Sequence, residues 1–99
     1  MSFYVYILAS RRNGTLYIGQ TDTLTRRLWE HRDHIRPGAF TERYGVTRLV
    51  HVETFETRDA AKARERAMKK WNRLWKLELI ERTNPGWKDL YDTLEHEIR

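Results

Sequence analysis

Four side chains in the first third of the sequence could form one reactive site: Tyr6, Tyr17, Arg27 and His31. An arginine pairs well with phosphate oxygens, and a histidine or a tyrosine can accept or donate a proton during a reaction. Gly19 lies just after the second tyrosine, and a glycine leaves space for a ligand to approach the backbone closely. These residue types together suit a site that acts on a phosphodiester.

Two strands and a helix must position these residues. Residues 3–9 form an unbroken apolar and aromatic run, which is typical of a strand covered on both faces. An Asn-Gly pair follows as a hairpin signal, and residues 16–19 form the return strand. Paired positions in an antiparallel hairpin sum to a constant and share a face. The numbers of Tyr6 and Tyr17 sum to an odd value, so any loop with an even number of residues places both rings on one face, with Gly19 beside Tyr17.

A helix is predicted directly after the second strand. Asp22 or Thr23 can cap it by accepting hydrogen bonds from the free amides of the first turn. Arg27 and His31 are four residues apart, so they share one face of the helix. The apolar stripe beside them, which should face the sheet, consists of Leu24, Leu28 and Ile35.

In these segments the sequence resembles the GIY-YIG nuclease domain. The matching segments are Tyr4-Val5-Tyr6, Tyr17-Ile18-Gly19, Arg26-Arg27-Leu28 and His31. The first triplet departs from the family pattern, because Tyr4 and Val5 stand where the family name has glycine and isoleucine. The resemblance covers nearly the whole chain. It points in particular to small stand-alone proteins related to the nuclease domain of the excision-repair C subunit.

The resemblance implies a metal-dependent DNA endonuclease of low sequence specificity that serves DNA repair or processing. It implies that Tyr6 activates the attacking water, as a general base or by orienting it, with His31 as the alternative base. Tyr17 would orient the water or the phosphate, and Arg27 would neutralise the charge that develops on the phosphoryl oxygens. Arg26 and Gly19 would contact the substrate.

Glu65 is implied as the residue that holds one Mg²⁺ or Mn²⁺ ion. The segment ARERAMKKW resembles the family's second helix, whose glutamate binds the catalytic metal. From the residues alone, Glu65 resembles a surface glutamate, because it lies on the line of Ala61 and Met68, away from the main alanine stripe. A single carboxylate leaves most of the coordination sphere to water and phosphate, which Mg²⁺ accepts.

Beyond the first helix, residues 48–55 are predicted to form a third strand with Val50 and Val52 on one face. Thr57 is a plausible cap for the next helix. The apolar stripe predicted for that helix is Ala60, Ala63, Ala67, Trp71 and Leu74. The pattern as a whole predicts an α/β fold. A small, three-stranded, mainly antiparallel sheet is flanked by helices in the order β-β-α-β-α-α.

Residues 58–76 carry eight basic side chains against two acidic ones. They form either a solvated helix face or a surface that follows DNA phosphates, and the resemblance favours the second, with Lys69 contacting the substrate. Asn84 followed by Pro85 predicts the start of a last helix. The family also has an asparagine near the scissile phosphate, and Asn84 is the match.

The composition favours a nucleic-acid partner. The 99 residues predict a single domain, 1–99, with a net charge of +5 and a pI of about 9.8. The chain has no cysteine for disulfides or thiolate metal sites, and neither a signal peptide nor an apolar run that could span a membrane is predicted. We therefore expect a cytoplasmic protein that does not bind membranes, either a monomer or a weak homodimer.

Two alternative functions lie outside the nuclease class. The first is a module that keeps the fold and binds DNA without cutting it. The second is a protein-interaction domain that uses an exposed apolar patch around Trp71 and Trp75. The chain has four tryptophans, which serve either in packing or in stacking on bases.

Overall fold

A computed structural model describes residues 2–32 and 45–93, except the side chains of His31 and Arg32. The elements are β1 (Phe3–Ala9), β2 (Leu16–Thr21), α1 (Leu24–Arg32), β3 (Arg48–Phe55), α2 (Arg58–Lys70) and α3 (Arg73–Thr83). The strands form one antiparallel sheet in the order β2-β1-β3. The predicted α/β class and the order β-β-α-β-α-α are confirmed.

The central strand β1 is covered on both faces, as its apolar run predicted. One face packs against α2 and α3, and its buried residues include Val5, Ile7, Ile18, Ala61, Met68 and Ile80. The other face packs against α1, and its buried residues include Tyr6, Leu8, Leu24, Leu28 and Leu49. The predicted inward stripe of α1 is thus confirmed for Leu24 and Leu28, whereas Ile35 lies outside the described residues.

The β1–β2 hairpin places both tyrosines on one face. Tyr6 pairs with Gly19, and the connecting residues 10–15 are even in number. The rings of Tyr6 and Tyr17 lie 6.4 Å apart between centroids. The parity prediction is therefore confirmed.

A bulge in β3 overturns the prediction that Val50 and Val52 share a face. Ile7 pairs with His51 and Leu8 pairs with Leu49, so the register shifts by one residue at Val50. Val50 consequently packs toward α2 and α3, whereas Val52 packs on the α1 side.

The predicted alanine stripe of the second helix is also wrong. Ala60, Ala63 and Ala67 are exposed, whereas Ala61 and Met68 are buried. Alanine adds little apolar area, so the larger Met68 side chain has more influence on which face of α2 packs on the sheet. The helix also ends at Lys70. Asn72 then caps α3 by accepting a hydrogen bond from the Trp75 N–H at 2.9 Å, so Trp71 and Leu74 do not continue the α2 stripe.

Asn84 ends a helix instead of starting one. Its backbone N–H donates to the Ile80 carbonyl, and its buried side chain donates to the carbonyls of Val50 and Lys88 at 3.2 and 2.9 Å. The Asn84 Oδ1 atom accepts from the Lys88 N–H at 3.2 Å. The prediction of a helix beginning at Asn84 and Pro85 is therefore wrong, because Asn84 instead links the end of α3 to β3.

The tryptophans divide between packing and exposure. Trp87 is fully buried and donates from Nε1 to Glu81 at 2.6 Å, so its predicted packing role is confirmed. Trp71 is partly buried, whereas Trp29 and Trp75 are about half exposed. No helix in residues 2–32 or 45–93 has the length and apolar character needed to cross a membrane.

Candidate active site

Tyr6 lies across Gly19. A Cβ atom added at Gly19 would be 2.5 Å from the Tyr6 hydroxyl, 2.6 Å from Tyr6 Cζ and 3.1 Å from Tyr17 Cε1. The space above this glycine is therefore occupied by a phenol ring of the chain itself. Because Gly19 belongs to the edge strand β2, the Tyr6 side chain extends from the central strand toward the open edge of the sheet while remaining only 2% exposed.

Arg27 lies on the helix that covers this same face. Leu24 and Leu28 of α1 pack in one cluster with Tyr6, and Tyr17 packs against that cluster. The Arg27 side chain is one-third exposed, and its Nε atom lies 4.0 Å from a Glu30 oxygen. Such a long, partly exposed contact is weak, so the guanidinium remains accessible to an anion.

Helix α1 also carries the predicted residues Arg26 and His31. Arg26 is exposed, as a residue that contacts a large substrate must be. The backbone of His31 belongs to α1, but its side chain lies outside the described residues. Its role as an alternative base remains a prediction.

Helix α2 runs alongside β2. Arg58, at its start, donates to Asp22 at 3.0 Å, and Lys69, near its end, lines a surface hollow with Leu16, Tyr17 and Ile18. The helix rises about 16 Å between Arg58 and Lys69 at about 1.5 Å per residue. The strand spans about the same distance between Asp22 and Tyr17 at about 3.3 Å per residue. Helix α2 and strand β2 therefore run antiparallel and cover the same length.

This alignment brings Glu65 level with Gly19. Glu65 lies about 10 Å along the helix from Arg58, which corresponds to about three strand residues from Asp22. Its side chain is 22% exposed and its Oε2 atom lies 3.3 Å from Lys69 Nζ. Glu65 shares a helix line with the buried Ala61 and Met68, so that line faces the sheet and the alanine stripe faces the solvent.

The comparison with known proteins decides the family. Residues 2–78 match the model of the GIY-YIG catalytic domain. The chain belongs to the GIY-YIG family. It is 31% identical over 90 residues to a UPF0213 protein of Desulfotalea psychrophila, covering 91% of this chain and 81% of that protein. It is 40% identical over 78 residues to a UPF0213 protein of Clostridium perfringens, covering 78% and 81%.

A solved structure extends the similarity to UPF0213 proteins from the sequence to the fold. The solution NMR structure of a UPF0213 protein from Bacillus halodurans matches with a TM-score of 0.56 and 28% identity, covering 90% of this chain and 93% of that one. The similarity extends over nearly the whole fold described above.

Helix α2 and strand β2 of this GIY-YIG protein each offer one side-chain oxygen of a kind that a divalent cation accepts. No three His, Cys, Asp or Glu side chains cluster as a metal site within the described residues. Glu65 supplies one carboxylate, however, and the Oε1 atom of Gln20 is buried with no hydrogen-bond partner in the described part of the chain. Gln20 pairs with Val5 and so points to the face covered by α2. Mg²⁺ takes oxygen ligands and keeps several waters, so such a sparse donor set suits it.

A partly buried ion network on the face covered by α2 was not predicted from the sequence. Glu53 accepts from His51 Nε2 at 2.7 Å and from two Arg64 nitrogens at 2.8 and 3.1 Å. The His51 hydrogen bond and then Arg64 lower the pKa of Glu53 to about 2, against the opposing effect of burial. The Arg64 guanidinium also lies 4.9 Å from the centre of the Trp71 ring, and His51 Nδ1 lies 3.1 Å from the Thr83 hydroxyl.

This network helps to set the rotation of α2 and therefore the direction of Glu65. Arg64 immediately precedes Glu65, so its fixed pairing with β3 constrains both side chains. The sequence signal was a histidine and a glutamate two residues apart on a strand, which must share a face. Their arginine partner, eleven residues from Glu53, could be identified only from the fold.

Proposed function

We propose that this protein is a divalent-cation-dependent endonuclease that hydrolyses DNA phosphodiester bonds. The observation that carries the proposal is the position of Tyr6 over Gly19, with the Tyr17 ring beside it and Arg27 on the helix that covers the same face, in a chain of the GIY-YIG family. The net charge of +5 supports a polyanionic substrate.

In the proposed reaction, a water oxygen bonds to phosphorus while the bond from phosphorus to the departing 3′ oxygen breaks. Tyr6 orients the water or accepts its proton, and Tyr17 orients the water or the phosphate. A phenol is a weak base at neutral pH because its ordinary pKa is about 10, so nearby positive charge is needed. Arg27 supplies such charge and neutralises the phosphoryl oxygens as they become more negative.

Glu65 would hold the Mg²⁺ or Mn²⁺ ion, and the remaining coordination positions would be filled by water and phosphate oxygens. When bound, the ion supplies Lewis-acid stabilisation of the oxygens around phosphorus. Arg26 and Lys69 contact DNA in this proposal and place the reacting bond at the sheet edge. Asn84 is not part of the proposed site, because its side-chain donors and acceptor are used within the chain.

Nicking of supercoiled plasmid, with Mg²⁺, with Mn²⁺ and with EDTA, tests the proposal. We expect wild-type protein to nick only with a divalent ion. Glu65→Gln keeps the size and removes the charge, so it should abolish nicking while DNA binding survives or becomes tighter. The control Glu78→Gln changes an exposed carboxylate on α3 and should nick like the wild type.

Nicking at the wild-type rate by Glu65→Gln would remove this residue from the mechanism. Wild-type protein that binds DNA but never nicks it, with either ion and with linear, branched or single-stranded DNA, would instead identify a non-catalytic DNA-binding module. Binding to a partner protein that does not weaken as salt rises, in the absence of nicking, would instead identify a protein-interaction domain.

A further inference from the structure

Two lysines from different helices line one surface hollow together with Tyr17. A shallow surface hollow at the edge strand is lined by Leu16, Tyr17, Ile18, Lys69 and Lys76. Lys69 comes from the last turn of α2 and Lys76 from the first half of α3. Both ammonium groups therefore border the strand that carries one of the proposed catalytic tyrosines.

The position of Lys76 depends on a clamp at the start of α3. Arg73 Nη2 donates to the carbonyls of Asn13 and Gly14, both at 2.7 Å, and so joins α3 to the turn of the β1–β2 hairpin. Residues three apart share one side of a helix, so Lys76 lies on the same side as Arg73. The clamp consequently turns Lys76 toward the edge of β2.

We propose that this hollow binds a DNA backbone phosphate next to the one that reacts. The proposal extends the proposed function and rests on it. An ammonium group is a compact charge that binds phosphate oxygens, and two of them on one hollow attract a single anionic group strongly. Leu16 and Ile18 contribute apolar surface to the lining of the hollow.

Lys69 also connects this hollow to the proposed cation site. Its Nζ atom lies 3.3 Å from Glu65 Oε2, so the same side chain borders the hollow and pairs with the carboxylate. This pairing keeps the Lys69 ammonium close to Glu65. Lys76 is the clearer test of the hollow, because Lys69 both lines the hollow and pairs with Glu65.

Fluorescence anisotropy with a labelled DNA duplex in EDTA, over a series of salt concentrations, measures binding without cleavage. Loss of one phosphate contact should make the negative slope of log affinity against log salt shallower by about 0.9, and should weaken the affinity by roughly 5- to 10-fold at 0.1 M salt. We expect this for Lys76→Gln and Lys69→Gln. Lys76→Arg should retain most of the affinity, because it keeps the charge.

Lys88→Gln is the matched control, because it removes the same charge from an exposed position after α3 that is not part of the hollow. Thermal melts check that each variant folds. Lys76→Gln with the same affinity and slope as Lys88→Gln would overturn the phosphate site, as would Lys76→Arg binding no better than Lys76→Gln. Failure of the nuclease proposal is a separate result, since it shows as absence of nicking by wild-type protein.

Discussion

Gly19→Ala should disable the site by displacing Tyr6. Gly19 does not have a left-handed φ, so alanine is compatible with its backbone and the effect comes from the side chain alone. The new Cβ would lie 2.5 Å from the Tyr6 hydroxyl. The hydroxyl must therefore move by about 0.9 Å to restore an ordinary contact.

Two magnitudes follow from this displacement. Tyr6 is 2% exposed, so its ring has little free space into which it can move. Overpacking of this kind costs about 1–3 kcal/mol in unfolding free energy. A misplacement near 1 Å at a reacting group costs roughly 10²-fold in rate. We expect both losses, measured by urea unfolding and by single-turnover DNA cleavage at saturating protein.

Two comparisons isolate the cause. Gly86→Ala adds a Cβ whose nearest neighbour is 3.5 Å away on Lys88, so both stability and rate should stay close to wild type. In a Tyr6→Leu background, which lacks the Cζ and hydroxyl atoms, Gly19→Ala should cost little extra stability. A Gly19→Ala protein with wild-type stability and rate would refute the contact between Tyr6 and Gly19 and its place in the mechanism.

Two other substitutions test the charges around the site. Arg27→Ala should lose at least roughly 10²-fold in single-turnover rate with an almost unchanged melt, whereas the neighbouring Arg26→Ala should act mainly on affinity; equal, small losses would contradict the role of Arg27. Glu53→Gln should lower the unfolding free energy at pH 7 by about 1–3 kcal/mol. Because folding lowers the Glu53 pKa from 4.5 to about 2, this stabilisation is complete above the unfolded pKa. The difference from wild type in urea unfolding should shrink as pH falls from 4.5 to 2, and a difference independent of pH would contradict the ion network.

The hairpin could be predicted because its geometry is local. Alternation along a strand and an even loop length are sufficient to place Tyr6 and Tyr17 on one face, whatever the rest of the chain does. The occupant of the space over Gly19 could not be predicted in this way. A glycine in a strand allows close approach, but only the packed structure shows that the approaching group is Tyr6 itself.

The second half of the chain was predicted less well, because its clearest apolar pattern consists of alanines, whose burial contributes little free energy. Alanines recur at helical spacing on two sides of α2, and each buries so little area that the spacing alone does not choose between them. Met68 and the ion pair between Arg64 and Glu53 favour the line that contains Glu65. Asn84 followed by Pro85 has the composition of a helix start, yet hydrogen bonds to Val50 and Lys88 place it at a helix end.

The sequence by itself determined the three strands, the shared face of Tyr6 and Tyr17, the inward face of α1 and the family motif, because each depends on residues close together in the chain. Tertiary structure decided the rotation of α2, the bulge at Val50 and the placement of Lys69 and Lys76 at one hollow with Tyr17. These features depend on partners that are distant in sequence, such as Glu53 for Arg64 and the hairpin carbonyls for Arg73. Their energies come from burial and ion pairing that exist only once the sheet and helices are packed together.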